Sequence, residues 1–246
     1  MKRVLVVLIV IAALGAGGFW AWSSGWLNSV NYDNYDFNAL IEGDQYNGNI
    51  ADHVKGNPEA PVLIFEYADY QCPGCGTTNP RLNKLLEEYG DQLGIVYRNY
   101  LLSYHQNGTA AASAAEAAGL QGYWKEYADH LFANQTEWEY AGPKDRTDIF
   151  KNYFTTVSNG EGDLDRFEAD MGSSVVSKKI RFDMAIGKRV EVSATPALFI
   201  NGEQIDFSKA GTEELFLTLM REKIDAALAA KGLKKGVEVQ TSTETE

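Results

Sequence analysis

The chain has 246 residues, 45% of them hydrophobic, with a formal net charge of -12 and a pI near 4.8. A polypeptide of this size and apolar content can bury a core of its own. Its acidic balance excludes a nucleic-acid or anionic-lipid surface on the globular part, because both require basic residues.

In chain order, Lys2 and Arg3 precede an uncharged apolar run from Val4 to Trp22, about the length that crosses a bilayer. Trp20, Trp22 and Trp26 cluster where an interfacial aromatic belt would lie. Two readings fit residues 1–22. One is a single-pass membrane anchor with its positive end cytoplasmic; the other is a signal sequence cleaved after Gly15, leaving a secreted chain. The anchor is preferred because the tryptophans continue beyond that cut. Either way the rest of the chain lies outside the cytoplasm, in a periplasm or on the extracellular side, where disulfides persist. Residues 23–49, rich in Asn, Asp, Tyr and Gly and lacking a sustained period, read as a tether whose ends would lie about 30 Å apart.

Val62 to Ala68 is a short apolar strand, and Gln71 to Tyr89 a helix with Leu82, Leu85, Leu86 and Tyr89 at helical spacing and Pro80 inside it. Leu93 to Leu102 reads as the next strand, so the pair should be parallel with the helix as crossover. Four helical stretches follow: Thr109 to Asn134, Lys144 to Val157, Leu164 to Met171, and Ser174 to Lys188. Phe167, Met171, Val175, Phe182 and Ile186 are their expected core-facing residues. Ala197 to Ile200 and Gln204 to Phe207 flank an Asn201-Gly202 turn, a hairpin signal. A last helix, Gly211 to Lys231, places Phe216, Met220, Ile224 and Leu228 on one stripe. The polar tail 234–246 reads as disordered. The order is βαβ, a block of helices, then ββα.

The chain's two cysteines, Cys72 and Cys75, stand in a CPGC run where the first strand gives way to its helix. Thiols three positions apart in a first helical turn are close enough to form a disulfide. Unpaired N–H groups and the positive end of the helix dipole favour a thiolate at Cys72, which makes it the nucleophile and Cys75 the resolving thiol. Pro73 suits the first turn because it lacks an N–H. A structural disulfide across so short a loop would constrain the unfolded chain little. A zinc site would need His53, His105 and His130 from scattered positions. Redox chemistry is the preferred reading, with no metal.

With these features in place, the chain resembles the thioredoxin superfamily, and within it the bacterial DsbA-type thiol oxidoreductases with an inserted helical domain. The resemblance rests on APVLIFEYADYQCPGC, on YRNYLLSYHQNGTAAASAAEAAGLQGYWKEYADHLFANQ and on SATPALFINGE, and covers about residues 50–230. It implies an α/β thioredoxin-like fold split into residues 50–102 and 190–233 around a helical insertion, 103–189. It also implies a cis Thr195-Pro196 peptide facing the disulfide, where the Thr195 backbone would pair with an extended substrate. Glu66, six residues before Cys72, matches a buried acid that would move the proton of Cys75. Pro73 and Gly74 form the active-site loop. They replace the Pro-His of the strongest oxidants, so a charge beside Cys72 is missing. Many members carry a proline after the histidine at His105, which here is a structural or rim residue. Asp69 and Tyr70 would shape the loop.

The function so implied is extracytoplasmic introduction or exchange of disulfides in unfolded or partly folded exported proteins. It needs no cofactor beyond the Cys72-Cys75 pair, and a quinone-linked membrane partner would reoxidise it. The alternatives are a reductase or isomerase with a reducing partner, and a non-enzymatic metal-handling or protein-binding module.

Overall fold

The computed structural model describes residues 30–236, so the anchor or signal sequence expected over 1–22 lies outside the described residues. Among the described residues no helix is long and apolar enough to cross a membrane. Residues 30–35 fall in a unit of their own, where the Asn31 side chain accepts from Asp33 N and caps a 3-10 turn over Tyr32–Asn34. Everything that follows concerns the unit that begins at Asp36.

That unit is built on a five-stranded sheet in the order β1-β3-β2-β4-β5. The strands are β1 (His53–Gly56), β2 (Val62–Ala68), β3 (Leu93–Asn99), β4 (Ala197–Ile200) and β5 (Glu203–Gln204). β2 and β3 are parallel, with Glu66 opposite Tyr97, and the helix α1 (Pro73–Tyr89) is their crossover. β1 and β4 run antiparallel to their neighbours. This is the expected thioredoxin-like arrangement, with one strand the periodicity did not reveal. β1 reads HVKG, too short and too polar to register as alternation.

Strand β2 has neighbours on both sides and helices over both faces, which is why its sequence VLIFEYA is almost continuously apolar. Val62 and Ile64 point toward α1 and the last helix, α8 (Glu213–Ala230). There Leu82, Leu85, Phe216, Met220 and Ile224 complete one core. Glu66 is in phase with Val62 and Ile64 and therefore enters the same side of the sheet.

Between β3 and β4 lie the inserted helices α2 (Gly108–Gly119), α3 (Trp124–Ala133), α4 (Gln135–Trp138), α5 (Pro143–Val157), α6 (Leu164–Met171) and α7 (Ser174–Arg189). All the alanines of α2 except Ala110 are fully buried, and their small side chains let the neighbouring helices close around it, with Tyr127, Phe154 and Phe167 filling the second core. The helix expected over Thr109 to Asn134 is interrupted. Gly122 takes φ +87° in the turn between α2 and α3, a backbone state that glycine adopts without strain. Val175, expected in the core, is 37% exposed. It falls in the first turn of α7, and the neighbouring Val176 takes the buried position instead.

The tether expected over 23–49 is corrected from Asp36 onward. Arg98, fully buried on β3, donates from Nη1 to Phe37 O at 2.8 Å and from Nη2 to Ala39 O at 3.0 Å and Asp52 Oδ2 at 2.7 Å. Ile41 N donates to the same carboxylate at 3.1 Å, and Asn47 is fully buried. A buried guanidinium needs an acceptor for each donor, and this aperiodic segment supplies two of them, with Asp52 and the Tyr67 hydroxyl supplying the rest. The start of the tail is corrected too. Lys234 O accepts from Gln92 Nε2 at 2.9 Å, and Gly236 N donates to Gln92 Oε1 at 2.7 Å.

Lys179 completes the buried charge set, donating to Asp52 Oδ1 at 3.1 Å and to Asp183 Oδ1 at 2.9 Å. Replacing Arg98 by Met leaves the Asp52 carboxylate with Lys179 and Ile41 N alone and strands the carbonyls of Phe37 and Ala39. We expect the R98M variant to lose about 3 to 5 kcal/mol in urea unfolding and residues 36–49 to lose protection in hydrogen exchange.

Candidate functional site

The site forms where β2 ends. Its carboxyl end leads through Asp69-Tyr70-Gln71 into Cys72, which is the N-cap of α1 with extended backbone (φ -72°, ψ 121°) and no side-chain cap. Asp69 is fully buried and shapes this loop, as expected. Its carboxylate accepts from Gln71 N at 2.9 Å and Leu102 N at 2.9 Å, and pairs with His105 Nδ1 at 2.8 Å. His105 therefore braces the loop from its rim. Pro73 occupies the first helical turn, where no N–H is required.

The two cysteines are free thiols in very different surroundings. Cys72 is 7% exposed and Cys75 0%. Cys72 Sγ lies 3.3 Å from Thr195 O, and Thr195-Pro196 is cis, as the resemblance implied. The Pro196 ring sits directly over the CxxC turn. A Cβ on Gly74 would stand 3.1 Å from Pro196 Cδ and 3.6 Å from Cys72 Sγ, so a bulkier residue at Gly74 would crowd the sulfur.

Electrostatics drives the two thiols apart. The Cys75 thiol is the main hydrogen-bond donor to the Cys72 sulfur. With the N–H groups of Cys75 and Gly74, it outweighs desolvation and brings Cys72 down to about 5. Cys75 moves the other way. Burial, the hydrogen bond it gives to Cys72 and the negative charges of Cys72 and Glu66 hold it well above the ordinary thiol range. One sulfur is ionised at neutral pH while its neighbour keeps its proton.

Glu66 lies beneath this pair, 2% exposed, with its Oε1 buried and without a hydrogen-bond partner. Burial raises its carboxyl to about 7; Lys55 pulls it down and Asp129 pushes it up. Lys55 reaches across from β1 and donates to Asn79 Oδ1 at 2.6 Å and Asp129 Oδ1 at 2.5 Å. Asn79 Nδ2 and Asn83 Nδ2 also donate to Asp129, at 2.8 and 3.1 Å. Sequence reasoning missed Lys55 and Asp129, because a lysine in a four-residue strand and an aspartate on a helix both read as solvated charges. Among the described residues there is no cluster of three or more histidines, cysteines and acids suited to a metal.

Comparison with known proteins adds three findings. A family model described as thioredoxin matches residues 48–220. Among curated proteins, a Na+/H+ antiporter NhaA 1 of Mycobacterium sp. (strain KMS) is 31% identical over 156 residues, covering 62% of this chain and 24% of the relative. The chain thus spans about a quarter of the length of the curated relatives it matches. Among solved structures, oxidised BdbD from Bacillus subtilis superposes with a TM-score of 0.61 at 18% identity, over 78% of this chain and 100% of that one. DsbA2 of Pseudomonas aeruginosa gives 0.52 at 25%, over 71% and 95%. Both match the combination of thioredoxin sheet and inserted helices.

A thiol at about 5 in the fold and 9.0 in the ordinary state makes the folded, reduced chain bind fewer protons than the unfolded one between those values. The Cys72 contribution to the stability of the reduced form relative to the disulfide form should therefore grow as pH rises from 5 toward 9, above which the raised Cys75 thiol acts in the opposite direction. Thermal melts of both forms across that range check this, and ultraviolet thiolate absorbance should rise with a midpoint near pH 5 that C72S removes.

Proposed function

The chain belongs to the thioredoxin family, and we propose that its DsbA-like form of that fold is a thiol:disulfide oxidoreductase working through a Cys72-Cys75 disulfide. The observation that carries this reading is the opposed ionisation of the two thiols at the head of α1. Each unit by which a thiol's pKa falls below ambient pH favours the dithiol over the disulfide by about 1.4 kcal/mol, or about 30 mV. A Cys72 held near 5 thus makes the disulfide form an electron acceptor, so the preferred direction is oxidation of clients.

In the disulfide form a client thiolate attacks Cys72 Sγ, the more exposed sulfur. A new sulfur–sulfur bond forms to Cys72, the Cys72-Cys75 bond breaks, and Cys75 leaves as a thiolate. Glu66, half protonated near pH 7, gives Cys75 its proton, since a buried thiolate at that site is disfavoured. A second client thiolate then attacks the client's own sulfur in the mixed disulfide. Cys72 departs as the thiolate its surroundings favour. The client has lost two electrons and formed a disulfide, and the CxxC pair holds them as a dithiol.

The half-buried Thr195 and Pro196 flank the reacting sulfur. The Thr195 backbone is the surface against which an extended client would lie, with main-chain hydrogen bonds giving affinity without demanding a sequence. Clients are unfolded or partly folded exported proteins. Reoxidation falls to a membrane partner that passes electrons onward to quinone. The apolar run at the start of the sequence supports placement outside the cytoplasm at a membrane. An anchored domain meets a membrane partner at raised effective concentration.

Three variants test this. C72S should lose all oxidation of a reduced test protein, and C75S should accumulate the mixed disulfide at Cys72. E66Q should slow release of Cys75 about 100-fold or more at neutral pH and lose the inflection near pH 7 in the rate profile. Unchanged turnover in C72S would overturn the assignment.

A further inference from the structure

The redox chemistry leaves Gln135 without a role. It opens α4 in the helical insertion, and in the sequence it is only the middle of a formal acceptor triplet, Asn134-Gln135-Thr136. In the fold its Nε2 donates to two carbonyls at once, Tyr70 O at 2.6 Å and Cys72 O at 2.9 Å. The other side of the same amide lies against Gly76, in the first turn of α1, so closely that a Cβ there would collide with Oε1.

These bonds complete the confinement of Cys72. Its N–H donates to Asp69 O at 3.0 Å, and its carbonyl accepts from Gly76 N at 3.1 Å as well as from Gln135. The next residue is Pro73, so the peptide unit between them has no N–H through which it could be held. That unit is fixed through the Cys72 carbonyl alone. Rotation about Cys72 ψ would swing the sulfur relative to the N–H groups of Gly74 and Cys75. The neighbouring Gln71 is clasped to the same part of the insertion, donating to Glu139 O at 2.7 Å and accepting from Asn107 N at 2.7 Å.

We propose that Gln135 is a positioning residue for the redox centre. By holding the Tyr70 and Cys72 carbonyls, it keeps the Cys72 sulfur within reach of the donors that favour its thiolate. The inference deepens the oxidoreductase reading and rests on it for Cys72 as the attacked sulfur. It also gives the insertion a part in the chemistry that is separate from covering the sheet.

The test uses the full chain carrying Q135A or Q135E. The glutamate matches glutamine in shape and keeps the contact with Gly76, but offers no N–H at neutral pH. In both variants the Cys72 thiolate ionisation constant, read by ultraviolet titration, should fall about three- to tenfold. The equilibrium with glutathione should shift toward the disulfide form by the same factor, about 15 to 30 mV. T136A, an exposed neighbour that removes the same triplet, should change neither. The proposal is overturned if both variants fold and Cys72 titrates within twofold of the parent. Loss of folding in both overturns it equally, since Gln135 would then serve stability and not sulfur placement. Neither readout involves a client protein. A parent chain unable to oxidise clients would therefore refute the oxidoreductase reading while leaving this result intact.

Discussion

The arrangement depends on one sulfur held at the mouth of a helix among hydrogen-bond donors. A helix dipole contributes up to about 2 kcal/mol, enough to lower a thiol by about 1.5 pKa units, and Cys72 lies well below that reach. The remainder comes from contacts that only the fold assembles, first the Cys75 thiol and then the backbone N–H groups of Cys75 and Gly74. Cys75 is raised first by its own burial and then by the hydrogen bond it gives to Cys72, because a thiol that donates to an anion keeps its proton. The seating of Cys72 at the N-cap and the burial of Cys75 one turn further in thus set the two thiols in opposite directions.

The rest of the site follows from burial. β2 is covered on both faces, so any polar residue in it is desolvated. Glu66 enters the apolar side of the sheet beside Val62 and Ile64 and is raised to about 7 for that reason. Lys55 and Asp129 are paired with each other and exert opposite effects on it. The acid is therefore balanced between protonation states, as a group must be that both gives and takes a proton near neutrality.

The helical insertion does more than roof the sheet. Through Asp129 it reaches the charges around Glu66, and through Gln135 and Glu139 it grips the residues just before the cysteines. Behind the sheet, Arg98, Asp52, Lys179 and Asp183 form a buried charge set that joins β3, α7 and the segment after Asp36. Such a set stabilises only when every donor and acceptor is matched. Here residues as distant as Phe37 and Asp183 are committed to it.

Much of this was legible in the chain. Strand β2, helix α1, the Asn201-Gly202 hairpin and the stripe of Phe216, Met220, Ile224 and Leu228 follow from periodicity and turn chemistry, which are local. The paired cysteines at a helix start follow from spacing. The breaks and edges were less legible: β1 is too short to show alternation, Gly122 ends a helix that alanine content alone would continue, and the segment after Asp36 has no period because its role is to offer carbonyls to Arg98. What the sequence alone determined is therefore the set of elements and the place where two thiols meet a helix. Only the tertiary structure decided how each group ionises and what holds it, since Lys55, Asp129, Gln135 and Thr195 lie far along the chain from the cysteines. Desolvation and hydrogen bonding act through space, and nothing in residue order records which side chains will share a low-dielectric interior.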